Sequence, residues 1–191
     1  MSIFGFNSCK PEQVAKGKRK LFQSIELNKF DNIKRLLDLH DDILEDCTTL
    51  GDEGFRHPDL RRAKGLEPIH VAAVVGNTEA IKILVVHDRA CIARYCSQGY
   101  LAIHYAAKGN NAEVIKLLSD SKANLNSEDK TSLGNTPLHH AVIEDCYNSV
   151  RCLIDLHADK NATNNAGKTP IDLAQRNDNR RILDFFSRTT G

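Results

Sequence analysis

The chain has 191 residues, 41% of them hydrophobic, and a formal net charge of +1, which fits one soluble globular domain and gives no electrostatic reason to expect a nucleic acid or an anionic membrane as partner. No apolar run approaches the roughly 18 residues that a membrane span needs, and the start, MSIFGFNSCKPEQ, lacks the pattern of a secretory signal. Six cysteines (Cys9, Cys47, Cys91, Cys96, Cys146 and Cys152) without a CxxC pair therefore read as reduced thiols acting as small apolar residues, and the expectation is an intracellular, cytoplasmic monomer.

Residues 1–16 have no periodicity and read as a tail or a lead-in helix that Pro11 and Glu12 would open. The basic group Lys16, Lys18, Arg19 and Lys20 resembles a short nuclear localisation signal, with a solvated helix start as the preferred reading. Leu21 to His40 carries apolar residues at helical spacing, and its segment IKRLLDLHDD matches VRCLIDLHAD at Val150 to Asp159, so it reads as a degenerate first repeat. Aligning Ile33 with Ile81 puts Phe22 where a later repeat has His70, and Gly17 where it has Gly65. Gly17 to Gly65 is 48 residues (65−17), about 15 more than the period allows, and the excess sits around residues 46–64, where Gly51, Gly54 and Pro58 break any long helix. They read as an enlarged loop, locally basic through Arg56, Arg61, Arg62 and Lys64.

From Gly65 onward one pattern recurs. GLEPIH begins at Gly65, GYLAIH at Gly99, GNTPLH at Gly134 and GKTPID at Gly167, at intervals of 34, 35 and 33 residues (99−65, 134−99, 167−134). Each residue of the fullest copy has a task in starting a helix: Gly134 takes a positive φ, Thr136 caps, Pro137 suits the first turn and Leu138 begins the apolar face. A second helix follows each first one, with apolar residues at Ile81, Leu84 and Val85, or at Val114, Leu117 and Leu118. Two copies depart from the pattern, with Glu67 in place of threonine and with Leu101 and Ala102 in place of Thr-Pro, so the helix after Gly99 is expected to be the weakest-started. The hairpin NSEDKTSLG before Gly134 is about two residues longer than a 33-residue period needs, so its tip should project further.

On these residues the chain resembles the ankyrin-repeat proteins, over about Lys20 to Ser187. The resemblance implies an all-α solenoid of about five helix-turn-helix repeats over residues 17–188, with atypical capping repeats at both ends. It implies a non-catalytic module that binds another protein on a concave face made of hairpin fingers and first helices. Members include inhibitors of NF-κB-type transcription factors, inhibitors of cyclin-dependent kinases and host-directed effectors. It also gives His70, His104 and His139 a structural role, bonding the threonine hydroxyl and nearby backbone, with Asp172 in the equivalent place of the last repeat. His40, His87 and His157 end second helices, where a cation interacts favourably with the helix dipole.

At the family's variable positions stand Leu66, Val74 and Val75, then Tyr100 and Lys108, then Leu133, Ile143 and Glu144, with Lys64 beside them. Six of these are apolar or aromatic and are expected to form one exposed stripe, with Tyr100 as its anchor. The family's hydroxylation pattern, a leucine eight residues before the asparagine that closes a repeat, fits Leu118 with Asn126 and Leu153 with Asn161. His87, Cys91 and Cys96 have a metal-like spacing without an evident fourth ligand, so no metal or cofactor is expected. A metal-dependent or enzymatic module built on the Cys91 region or on residues 46–64 is the alternative function.

Overall fold

The computed structural model describes residues 11–39 and 65–189, and contains ten α-helices and no strand among them. They form five pairs: α1 (Pro11–Glu26) with α2 (Phe30–Leu39), α3 (Pro68–Val75) with α4 (Thr78–His87), α5 (Ala102–Lys108) with α6 (Ala112–Asp120), α7 (Pro137–Ile143) with α8 (Tyr147–Asp155), and α9 (Pro170–Arg176) with α10 (Arg180–Arg188). First helices stack in one layer, α1 on α3 on α5 on α7 on α9. Second helices stack in the other, α2 on α4 on α6 on α8 on α10. A five-residue 3-10 turn, Arg89–Ala93, follows α4. The loop expected at 46–64 lies outside the described residues.

The fullest helix start behaves as its chemistry dictates. Thr136 Oγ1 accepts from the His139 N–H at the third helical position, and Pro137 occupies the first turn. Gly134 has φ 57°, and a Cβ there would lie 2.8–2.9 Å from the Asn165 amide of the next finger, so both conformation and space require glycine. The helix after Gly99 starts without the threonine cap, as expected. Leu101 supplies no side-chain cap, yet it is buried at 5% exposure. Burying a leucine contributes about 1.5–3 kcal/mol, against about 0.5–2 kcal/mol for a lost cap, so packing offsets the missing threonine.

In the first repeat, Phe22 is buried in the place that histidine takes later, while Gly17 lies inside α1. The lead-in helix and the first helix of the array are thus one continuous element.

Neighbouring repeats are tied by side chains at one recurring position, just before each second helix. Asn77 Nδ2 donates to Ile25 O at 2.9 Å, and Asn111 Nδ2 to Ala73 O at 2.9 Å. Cys146 occupies this place in the next repeat and donates its thiol to Lys108 O at 3.2 Å, a weaker bond. Asn179 Nδ2 donates to Asp145 Oδ1 at 2.8 Å. Fingers are joined separately by backbone bonds: Ser97 N–H to Gly65 O, Lys130 N–H to Gly99 O and Asn165 N–H to Leu133 O. In the last repeat Ile182 and Phe186 are buried, while Arg181 lies over the Tyr147 ring at 3.8 Å with its residue exposed.

Candidate protein-binding face

The face formed by fingers and first helices is set by the motif histidines. In each of three repeats, ring Nδ1 accepts from the N–H three residues earlier: Glu67 to His70 at 3.1 Å, Leu101 to His104 at 3.0 Å and Thr136 to His139 at 3.2 Å. Nε2 donates to a carbonyl of the following finger, at Arg94, Ser127 and Lys168, over 3.1, 3.0 and 2.9 Å. With one nitrogen accepting and the other donating, each ring is a neutral Nε2–H tautomer. Burial pushes the pKa of His70 and of His104 down to about 4, and lowers that of His139. Where threonine is absent only its hydroxyl contribution is lost; the backbone half of the network remains. Asp172 accepts from the Thr169 N–H and hydroxyl at 2.8 and 2.9 Å, closing on its own repeat.

The eight expected contact residues that are described do not form one exposed stripe. Leu66 and Val74 are 5% and 8% exposed and belong to the core, because each packs between adjacent repeats. Val75, Tyr100 and Ile143 are half-buried against that core, whereas Leu133 is 49% exposed. Lys108 and Glu144 face each other at 3.9 Å across two repeats. Lys64 lies outside the described residues. The exposed face thus narrows to its centre, around Tyr100.

That centre contains two residues which motif reasoning passed over. His140, immediately after the motif histidine, is 5% exposed, and its Nε2 lies 2.7 Å from Asp129 Oδ2. Asp129 sits at the base of the longer finger. The base bond runs Cys96 N–H to Tyr100 O and Asn164 N–H to Lys168 O in the neighbouring fingers, but Asp129 N–H to Asn135 O here, two residues further along. The expected extra length is therefore present. Burial raises the Asp129 pKa, but bonds from the Thr131 hydroxyl and N–H and from His140 outweigh it and hold the carboxyl below its usual range. Burial depresses His140, with Asp129 opposing. The doubled histidine of PLHHA was the available signal.

Tyr100 joins the two central repeats, with its ring 5.5 Å from Tyr105 and 5.4 Å from His140, both edge-to-face. Lys108 Nζ lies 5.3 Å from the Tyr100 centroid. Burial, then Asp129, Cys96 and Glu144, raise the Tyr100 phenol above its ordinary value. Asn126 and Asn161 are both exposed. Asn126 Oδ1 accepts from the Asp159 N–H at 2.8 Å, and the N–H of Asn161 donates to Asp159 Oδ1 at 2.9 Å.

His87 ends α4, and Cys91 and Cys96 are buried. Burial pushes the Cys91 thiol up to about 12, with Asp88 adding to the effect. Among the described residues, no three His, Cys, Asp or Glu side chains gather into a metal-sized group, and no helix is long and apolar enough to cross a membrane.

Stacked helix pairs with histidine-locked starts define a repeat solenoid that presents fingers and first helices as a continuous surface. The chain belongs to the ankyrin repeat family: the description "Ankyrin repeats (3 copies)" matches residues 21–129, and "Ankyrin repeats (many copies)" matches residues 120–174. It is similar to the human protein phosphatase 1 regulatory subunit 27, with 32% identity over 115 residues, covering 60% of this chain and 73% of that protein. It is similar also to the putative ankyrin repeat protein FPV022 of fowlpox virus, with 30% identity over 189 residues, 88% of this chain and 30% of that protein. A third relative, the Neurogenic locus Notch protein of Drosophila melanogaster, is 31% identical over 141 residues, 65% of this chain and 5% of its own length.

Proposed function

We propose that this chain is a non-catalytic binding module that holds a partner protein on its concave finger-and-first-helix face, either as an inhibitor or as a host-directed effector. The observation that carries this reading is the aromatic centre at Tyr100, half-buried and bridging two repeats, together with Leu133 exposed on the longest described finger. An anchored aromatic offers contact area at small entropic cost. Lys108 and Glu144 flank it, and Val75 and Ile143, half-buried on neighbouring first helices, complete the described part of the contact set. The buried, protonated Cys91 thiol packs as an apolar group, which weighs against a module using Cys91 as nucleophile or ligand.

The test is affinity purification of the tagged chain with mass spectrometry, beside a Tyr100→Ala/Leu133→Ser double variant. Loss of the same partner by at least about 2 kcal/mol, roughly thirtyfold, in a variant that still melts cooperatively is the expected result. Undiminished affinity would move the site away from this face, toward Arg56 to Lys64. Because the human relative is a protein phosphatase 1 regulatory subunit, calorimetric titration with protein phosphatase 1 is one direct assay. Dialysed protein carrying stoichiometric zinc would favour the metal-dependent alternative.

A further inference from the structure

We infer that the centre of this face is a recess selecting a basic side chain of the partner, arginine in first place, which donates to His140 Nδ1 beside the Tyr100 ring. The inference rests on the concave-face reading proposed above and gives it a chemical specificity.

Neighbouring groups fix the proton on His140. Its Nε2 is 2.7 Å from a carboxylate that already accepts from the Thr131 hydroxyl and N–H, so Nε2 must be the donor. Asp129 thereby fixes the ring as the Nε2–H tautomer, just as a carboxylate orients a histidine in metal and catalytic sites. Nδ1 is left with a lone pair. Among the described residues that nitrogen has no hydrogen-bond partner, and it keeps contact with solvent although only 6% of the side chain is exposed. A buried imidazole that spends one nitrogen on a carboxylate and offers the other outward is an oriented acceptor.

The charges around it choose the donor. Asp129 and Glu144 are anionic, with Glu144 one helical turn beyond His140 and so above it on one face. Lys108 is the cation facing them, 3.9 Å from Glu144 and 5.3 Å from the Tyr100 centroid. Two carboxylates against one ammonium leave the recess net negative. The Tyr100 hydroxyl also has no partner among the described residues and reaches solvent. A guanidinium fits this set: it lies against an aromatic ring, donates to Nδ1 with one N–H and to Glu144 with another, and cannot lose its charge. Other repeats cannot do this, because Val71 and Leu173 stand where His140 does, and Tyr105 there turns its hydroxyl to Gln98 at 3.0 Å.

The probe is a random linear 12-residue peptide library displayed on phage and selected on the full chain, with enriched peptides resynthesised. Expected is enrichment of arginine, then lysine, at one position, and a Kd weakened at least tenfold by His140→Phe and by Asp129→Asn. Asp129→Asn keeps the oxygen facing Thr131 but turns an N–H₂ toward Nε2, which moves the ring proton to Nδ1 and converts the acceptor into a donor. Long-range proton–nitrogen spectra of the histidine ring report that tautomer exchange, so a chemical effect is separated from a folding defect. Peptides that lose affinity on Tyr100→Ala but carry neutral or acidic residues, or bind Asp129→Asn unchanged, would overturn the inference and leave the concave-face reading standing. Peptides indifferent to Tyr100→Ala, or none enriched at all, would overturn both.

Discussion

Acid should dismantle this fold before its carboxylates titrate, and the motif histidines are the reason. His70 and His104 are fully buried, and each accepts a backbone N–H at Nδ1. A proton placed there would abolish that bond and set two donors against each other in a medium that solvates charge poorly. The folded pKa is about 4 for each, against an ordinary 6.5. Because the folded value is the lower one, the unfolded chain binds more protons between the two, and stability falls as pH falls from about 6.5 toward 4. Each ring then removes about 1 kcal/mol at pH 5.5 and about 2–3 kcal/mol at pH 4.5, or about 5 kcal/mol for the pair. His139 and His140, both also lowered, act in the same direction. Glu67, raised by burial, opposes them as its own range is approached, and the depressed Asp129 adds its loss only at the acid end. Against a whole-domain stability of about 5–15 kcal/mol, the histidine contribution is decisive. Urea melts at pH 7.5, 5.5 and 4.5 and constant ionic strength measure it. Stability changing by less than about 1 kcal/mol over that span, or NMR titration of either ring with a midpoint above pH 6, would refute the reasoning.

Leu138→Ala should cost about 2–5 kcal/mol in denaturant melts, since Leu138 is 1% exposed between repeats, whereas Asn165→Ala removes only an exposed amide bond to Ser132 O and should cost under about 1 kcal/mol. Leu101→Thr should bring no gain in stability despite restoring the motif cap, because it withdraws a buried leucine; a rise in melting temperature would show that capping outweighs burial there. Protein produced in animal cells should show a +16 Da species at Asn126 or Asn161, each eight residues after a buried leucine and each exposed, and intact-mass analysis finding none at either residue would remove the proposal.

The sequence determined the architecture because each repeat repeats its own local chemistry. A positive-φ glycine, a proline in the first turn and an apolar stripe are properties of short segments. Their recurrence at 33 to 35 residues leaves one way to cover the apolar faces, which is stacking. Even the longer finger was legible, as two extra residues before Gly134. Burial at the variable positions was not. Leu66 and Leu133 both precede or follow a hairpin glycine, yet one is core and the other is 49% exposed, since exposure depends on what the adjacent repeat places against each. Leu101 likewise replaces a cap through packing that only its neighbours supply. The doubled histidine marked His140, but its pairing with Asp129 was out of reach for the same reason: eleven positions separate them, and no local rule brings a finger's carboxylate to the helix that follows. Local conformational preference, which acts over a few bonds, wrote the solenoid into the sequence; the tautomer, charge and exposure of its face arise from contacts between fingers and repeats, and those exist only once the stack has formed.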